Sequence, residues 1–319
     1  MNLKQSIFLI FFLFIVSFGC QQEESSKKHK EESEWKPDSI VLKKKEGNNF
    51  VFPKVPDELT FAGEKIPLTD ADVRERFDRE LVVNNFYHSN TIFYFKRANR
   101  WFPLIKKILA EENVPQDLIY LSVIESGLTQ ARSPSNALGF WQFLKGTAID
   151  YGLTVNYQID ERMHVAKSTR AACKYLKSAY EKFGSWILAA AAYNRGKAGI
   201  NNALEAQQVD NFFDLMLNEE TSRYVFRIMA VKLIMESPAH YGFRFHQDDL
   251  YAPYETKTVT LEEGVYDLVK WSSDHGINYK ILKKINPWIL GKTLTVRKNN
   301  ELKIDLPSSA EQLAPFNSY

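Results

Sequence analysis

Glu125 is the residue whose setting in this chain most favours acid–base chemistry. It follows the apolar segment 119–124 and is closely followed by Gly127. Leu118, Leu121 and Glu125 recur at helical spacing, so the carboxyl group shares the apolar face of a helix. Burial makes a carboxylate harder to ionise, which favours a proton donor near neutral pH. The alternative is an acid at the helix rim that caps the helix or pairs with an arginine, and this segment alone does not separate the two.

The helix that must position Glu125 has signals at both ends. Pro115 suits a first turn, where its missing N–H costs nothing, and Asp117 favours the positive end of the helix. Gly127 supplies the left-handed residue that commonly ends a helix. The apolar spacing predicts further helices. They are one from Thr69 through Phe77, Leu81 and Val82, one through Ile92, Phe95 and Arg97, one after Pro103 through Leu109, one after Arg162 to Gly184, and one from Glu220 to Pro238.

Two polar segments are predicted to lie near Glu125. Segment 129–143 is rich in Ser, Pro, Asn and Gly and predicts a structured loop. We expect Gly139 to start the turn into a helix whose first turn contains Gln142. Segment 186–194 is apolar nearly all round and predicts a buried helix that delivers Tyr193 and Asn194. Such buried polar groups need partners, which could be a catalytic acid, a sugar amide or neighbouring backbone.

From residue 254 the predicted secondary structure changes from helices alone to a mixture of strands and helices. Segments 257–261 and 302–307 have the composition of strands, and Val265–Val269 and Tyr279–Leu282 have that of helices. This order predicts a small β-α-α-β module at 254–308, near the lower size limit for independent folding, followed by a tail at 309–319.

The N-terminus has the features of an export signal. Lys4 precedes an apolar run that is too short to span a bilayer, and residues 1–20 end in Cys20 as in a bacterial lipobox. Lipidation of Cys20 would anchor the chain, and Gln21 favours the outer membrane, whereas the alternative is a simple cleaved signal. Residues 21–48 are rich in Glu, Lys and Ser and predict a flexible tether. Cys173 would then have no disulfide partner and is expected to be a core residue.

Composition excludes few functions but makes nucleic acid an unsuitable partner. The formal net charge is +2, and no dense basic stripe is present. His240 and His246 have no third ligand in view, so no metal site is predicted. No cofactor is predicted either, and we expect a monomer.

Four ordered motifs resemble those of the lytic transglycosylases of glycoside hydrolase family 23. They are Glu125-Ser126, the segment from Ser133 to Ala137, Gly139-Phe140-Trp141-Gln142, and Ala192-Tyr193-Asn194. Glu220-Thr221 with Tyr224-Val225 resembles the motif that follows them. The resemblance extends over about residues 50 to 250 to the membrane-bound lytic murein transglycosylase D group. The C-terminal module resembles a LysM domain and shares its Asn-Pro turn at 286–287, but it lacks the usual Gly-Asp-Thr-Leu opening.

This resemblance implies a mainly α, lysozyme-like catalytic domain of the goose-type lysozyme and SLT kind at 49–253, with peptidoglycan as substrate. It makes Glu125 the catalytic acid and base. The cleft positions that it assigns are Ser133, Gln142, Tyr193, Asn194, Glu220 and Tyr224, with Tyr193 near the carboxylate. Asn136 stands where the family has glycine, which is tolerable because Asn also adopts left-handed backbone angles. Phe140-Trp141 replaces a commoner Leu-Met or Leu-Trp pair and could alter glycan packing.

One carboxylate suffices if the substrate supplies the rest. Most glycosidases use two, whereas Asp150 and Asp160 are predicted to be helix-end residues. Glu125 would protonate the oxygen between N-acetylmuramic acid and N-acetylglucosamine and then take a proton from the muramic C6 hydroxyl. Attack of that hydroxyl on C1 gives a 1,6-anhydro end, which is the family's product. The alternatives are a muramidase that uses water and a peptidoglycan-binding lipoprotein without catalysis.

Overall fold

The computed structural model describes residues 52–297 and 301–309. The predicted signal at 1–20, the lipidation site Cys20, the tether at 21–48 and most of the tail lie outside the described residues. Fourteen helices and strands follow one another in the described part of the chain. They are β1 Thr60–Phe61, β2 Glu64–Lys65, α1 Ala71–Phe86, α2 His88–Glu111, α3 Ile119–Ser126, α4 Lys145–Asp150, α5 Val165–Phe183, α6 Trp186–Arg195, α7 Lys197–Gln207, α8 Glu219–Glu236, β3 Thr256–Leu261, α9 Leu268–Asp274, α10 Tyr279–Ile285 and β4 Leu302–Pro307.

The first part of the chain is a helical domain built around α3, α6 and α8. Helix α6 packs against α5, α7 and α8, and α3 packs against α2 and α8. Residues 187–192 of α6 are completely or almost completely buried. Four of them are alanines, whose small side chains let neighbouring helices approach closely. Cys173 of α5 is also fully buried, as predicted for a core residue.

Most predicted helices are present, but several boundaries are wrong. Asp70, and not Thr69, caps α1 by accepting a hydrogen bond from the backbone N–H of Val73. The two helices predicted on either side of Pro103 form the single helix α2. The proline removes one backbone hydrogen bond, and packing of α2 against α3 and α5 outweighs that loss. Helix α7 was not predicted, and the helix expected after the turn at Gly139 begins only at Lys145.

The C-terminal module has the predicted strand, helix, helix, strand order. Strands β3 and β4 pair antiparallel, with Thr256 opposite Pro307 and Leu261 opposite Leu302. The first helix was predicted at Val265–Val269 but starts at Leu268, because Val265 forms a β-bridge with Leu294. The strand and helix order therefore agrees with the prediction, and one helix start is corrected.

The core of this module includes one residue of the helical domain. Ile159 is buried with Leu282, Trp288 and Ile289 of the module. A unit of this size buries little apolar surface by itself, so packing on the helical domain contributes to its stability. Within the described residues, no helix is long and apolar enough to cross a membrane.

Candidate active site

Glu125 lies in the last turn of α3, where buried packing holds the helix. Residues 119–123 of α3 are buried, and Gly127 ends the helix with φ +60°. The Nη1 group of Arg97 in α2 donates a hydrogen bond of 3.0 Å to the carbonyl oxygen of Gly127. This hydrogen bond ties the C-terminal end of α3, which carries Glu125, to helix α2.

The carboxyl group of Glu125 has a hydroxyl as its hydrogen-bond partner. The Tyr224 hydroxyl donates to Oε1 of Glu125 at 2.5 Å. Burial raises the pKa of Glu125 to about 7, opposed by the Tyr224 hydrogen bond and the charge of Arg227, while Glu220 adds to the increase. A rim acid paired with an arginine would have a lowered pKa. The predicted upward shift of the pKa is confirmed, and the group can hold a proton near neutral pH.

The loop after α3 is held together by the polar side chains that the motifs contain. Oγ of Ser133 accepts a hydrogen bond of 3.0 Å from the backbone N–H of Ala137. The side-chain amide of Gln142 donates to the carbonyl oxygens of Ala131 and Gly139, both at 2.8 Å. These bonds stabilise the loop itself and leave Oγ–H of Ser133 and Oε1 of Gln142 as the groups that could serve a ligand.

Two expectations about this loop are corrected. Gln142 has φ +47° and precedes α4, which begins at Lys145, so it does not lie in a helical turn. Trp141 is completely buried and donates its indole N–H to Thr169 Oγ1, so its side chain offers no surface to a glycan. The left-handed conformation expected for Asn136 is confirmed by its φ of +62°.

The loop is attached to the helical domain at Gly139 and Arg162. A Cβ atom on Gly139 would lie 2.1 Å from the carbonyl oxygen of Arg162, which excludes any other residue in this backbone. The Arg162 guanidinium donates to both carboxylate oxygens of Asp160 and to the carbonyl oxygens of Asn136 and Phe143. Arg162 therefore joins the two ends of the loop.

The predicted buried helix is α6, and it carries Tyr193 and Asn194 near its C-terminal end. The Tyr193 hydroxyl donates to the backbone carbonyl of Trp141 at 2.8 Å, and burial, together with the Glu125 charge, raises its pKa. Asn194 donates to Glu220 at 3.1 Å and accepts from the Thr221 hydroxyl at 2.8 Å. The direct partner of Glu125 is thus Tyr224, whereas Tyr193 supports the loop.

The residues selected from the sequence form one connected group. Tyr224 contacts Glu125, and Glu220, one turn earlier in α8, influences it through its charge. Ser126 Oγ donates to the carbonyl oxygen of Phe140 at 3.0 Å and joins α3 to the loop that carries Ser133 and Gln142.

Sequence reasoning missed Arg227 and Arg162. Arg227 lies three residues after Tyr224, and this spacing could have placed both on one face of α8. Its Nε is buried without a hydrogen-bond partner among the described residues. Arg162 had no such signal, because its partners at Asn136 and Phe143 are distant in the chain. Within the described ranges, no cluster of three or more His, Cys, Asp or Glu side chains is placed to hold a metal ion.

Tyr224→Phe should raise the pKa of Glu125. The variant keeps the ring and removes the hydrogen bond that lowers this pKa. A pH titration of the Glu125 carboxyl carbon by NMR measures the change.

Tyr120→Phe is the matched control, because it also removes a tyrosine–glutamate hydrogen bond between α3 and α8, the one from Tyr120 to Glu236. It should leave the Glu125 titration unchanged. Equal titrations in wild type and Tyr224→Phe would contradict the role given to the hydroxyl.

Comparison with known proteins finds two family models that match parts of this chain. Residues 103–215 match the Transglycosylase SLT domain, and residues 257–310 match the soluble lytic transglycosylase C-terminal LysM-like domain. The chain is 28% identical over 284 residues to membrane-bound lytic murein transglycosylase D of Escherichia coli strain K12, which covers 87% of this chain and 60% of that protein. It is also 30% identical over 110 residues, or 34% of this chain and 53% of the relative, to a putative tributyltin chloride resistance protein of an Alteromonas species. The chain thus spans about 60% of the length of the Escherichia coli relative.

Proposed function

We propose, from the premise that this chain carries a transglycosylase SLT domain followed by a LysM-like domain, that it is a peptidoglycan lytic transglycosylase. Its fold is mainly helical, with a lysozyme-like domain and a small two-stranded module. The relative from Escherichia coli is described as a lytic murein transglycosylase. The reaction would be a non-hydrolytic cleavage of the glycan strand that serves cell-wall remodelling or turnover.

In the proposed reaction, Glu125 acts first as an acid and then as a base. It donates its proton to the oxygen between N-acetylmuramic acid and N-acetylglucosamine, and that C–O bond breaks. The acetamide carbonyl of the muramic sugar stabilises the cation that develops at C1. The ionised Glu125 then accepts the proton of the C6 hydroxyl group while the C6 oxygen bonds to C1. This step restores the acid and gives the 1,6-anhydro end. The intramolecular nucleophile is favoured because it is already positioned.

The observation that carries this proposal is the environment of Glu125. A general acid works best when its pKa is close to the pH at which it operates. Burial holds the pKa of Glu125 at about 7, so a large fraction is protonated before the first step. Once ionised, the carboxylate is stabilised by the Tyr224 hydroxyl and by the charge of Arg227. Burial therefore stabilises the protonated form that the first step needs, and Tyr224 and Arg227 stabilise the ionised form that the second step needs.

The other motif residues would hold the glycan strand. Oγ–H of Ser133, Oε1 of Gln142 and the amide of Asn194 could bind hydroxyl and acetamide groups of the sugars. Glu220 and Tyr193 would hold this cleft in shape. Under this proposal residues 49–253 are the catalytic domain and 254–308 the LysM-like module.

Glu220 supports a second candidate function, which is hydrolysis by a muramidase. It lies near enough to Glu125 to raise its pKa, and a second carboxylate could activate a water molecule. Glu220 is, however, exposed and bonded to Asn194, so solvent and a hydrogen bond both weaken it as a base.

Product analysis separates the two reactions. Digestion of purified peptidoglycan by the wild-type protein should yield muropeptides that lack one water per cleavage, as measured by mass spectrometry. Reducing-end products in their place would establish the muramidase. The absence of any cleavage would favour a non-catalytic peptidoglycan-binding lipoprotein.

The proposed location is the cell envelope, because the Escherichia coli relative is described as membrane-bound. Lipidation at Cys20 would anchor the chain, with the outer membrane as the expected site and 21–48 as the tether to a monomeric enzyme. Incorporation of labelled palmitate into wild type but not into Cys20→Ala would test this anchor.

A further inference from the structure

A cavity of about 580 Å³ lies between the helical domain and the C-terminal module. We call it the junction pocket. Its lining includes Leu128 and Gln130 after α3, Arg100 and Trp101 of α2, and Tyr254 and Lys284 of the module. Its volume is within the range of small-ligand sites. One lining residue, Leu128, follows Glu125 by three positions in the chain.

The two walls of the junction pocket are fixed to one another by backbone pairing. Ile159 forms an antiparallel bridge with Ile289, and the N–H of Asp160 donates to the carbonyl oxygen of Trp288 at 2.9 Å. The ring of His164 stacks on that of Trp288 at 5.5 Å between centroids. Paired backbone and a shared core therefore fix the two walls of the cavity relative to one another.

The lining has a large excess of positive charge. It contains Arg97, Arg100, Lys283 and Lys284, against the single carboxylate of Asp305. His164 also lines it, but burial lowers its pKa to about 4, so it is neutral at pH 7. The cavity is therefore suited to an anion.

The arginines of the lining are bonded to neutral oxygens. Arg97 donates to the carbonyl oxygen of Gly127, and Arg100 donates to the carbonyl oxygen of Ala252 and the hydroxyl of Tyr254. Among the described residues, neither arginine forms an ion pair. Their charge remains available to a ligand, and a charge-assisted hydrogen bond is about twice as strong as a neutral one.

The two lysines of the lining add to its positive charge. Burial lowers the pKa of Lys283, and burial together with the charges of Arg100 and Lys280 lowers that of Lys284. Positive charges that repel one another are stabilised when an anion binds between them.

We propose that the junction pocket binds the peptide stem of peptidoglycan through its carboxylates. This inference rests on the proposed function and names the part of the substrate that the C-terminal module helps to recognise. The sugars of a glycan strand are neutral, and the lactyl carboxyl group is consumed in the bond to the stem, so the carboxylates belong to the peptide. The apolar surfaces of Trp101 and Tyr254 suit its aliphatic portions.

The test is a direct binding measurement with N-acetylmuramyl tetrapeptide as the probe. Calorimetry uses the wild-type full chain, because the probe has no scissile glycosidic bond and the result is independent of catalysis. Lys284→Glu should weaken binding about tenfold or more, since it replaces an attractive charge by a repulsive one. Amidation of the carboxylates of the probe should cause a similar loss.

Lys257→Glu is the matched control. Thr256 and Thr258 line the junction pocket, so Lys257 between them on β3 points to the opposite face. Both lysines are exposed, and their variants should fold equally well. Lys257→Glu should bind the probe within about twofold of the parent, because its charge is screened from the pocket by solvent.

Three outcomes would overturn the proposal. They are no binding of the probe, equal affinity of Lys284→Glu and Lys257→Glu, and binding of vesicles with anionic phospholipids in place of the peptide. A chain that binds the stem but does not lyse peptidoglycan would refute the proposed function alone. Lysis without stem binding would refute this inference alone.

Discussion

Glu125→Gln should reduce the lysis of peptidoglycan at least about a thousandfold, because one group serves both proton transfers and each contributes substantially. Glutamine keeps the size of the side chain and can accept the hydrogen bond from Tyr224, but it has no proton to donate. The measurement is the rate of release of soluble muropeptides from purified peptidoglycan. In wild type the same rate should fall as pH rises through about 7, where Glu125 loses its proton.

The loss of activity should not come from a loss of structure. The folded pKa of Glu125 is raised to about 7. Ionisation of Glu125 therefore disfavours the folded state. The free energy of unfolding that is present at low pH decreases as pH rises toward and through the folded pKa. Glutamine has no such ionisation, so the variant should melt above wild type at pH 8 and closer to it at pH 5. Undiminished lysis by Glu125→Gln would refute the assignment of the acid.

Arg162→Met should destabilise the protein by about 3–5 kcal/mol, because it leaves the Asp160 carboxylate buried without its partner. Both side chains are only 6% exposed. The carbonyl oxygens of Asn136 and Phe143 also lose their donor. For a domain of this size the melting temperature should fall by about 10 °C, measured by calorimetry or circular dichroism. The loop with Ser133 and Gln142 should loosen with it.

Two further variants give this prediction its controls. Arg170→Met removes an arginine that pairs with Glu111 and Glu112 at the surface, where its side chain is 45% exposed. Such pairs contribute about 0–1 kcal/mol, so this variant should be close to wild type. Asp160→Asn with Arg162→Met should be more stable than Arg162→Met alone, because no charge remains buried. Equal melting temperatures for Arg162→Met and Arg170→Met would show that the buried pair does not hold the loop.

The helical character of this protein could be predicted from local patterns. Helix α3 has apolar residues at helical spacing and a glycine at its end, and α6 is apolar on all sides, so both follow from short-range chemistry. Boundaries were less certain, as at Asp70 and Pro103, because packing by distant parts of the chain decides whether a cap or a break takes effect.

The proposed acid and most of the residues around it could also be selected from the sequence. Motif order selected Glu125 and Tyr224, although 99 positions separate them in the chain. What each one contacts was not available. The motif suggested Tyr193 near the carboxylate, and the Glu125 charge does act on Tyr193, but the hydrogen-bond partner of Glu125 is Tyr224 and the Tyr193 hydroxyl donates to Trp141.

The sequence by itself therefore determined most of the helices, the small module and the residue proposed to carry the chemistry, because these depend on residue type and local spacing. The tertiary structure decided how far Glu125 is desolvated, which residue donates a hydrogen bond to it and how Arg162 holds the neighbouring loop. It also decided that a cationic pocket lies between the two parts of the chain. These properties depend on burial and on distances between segments far apart in sequence, since desolvation and Coulomb energy are set by the complete surroundings of a charge.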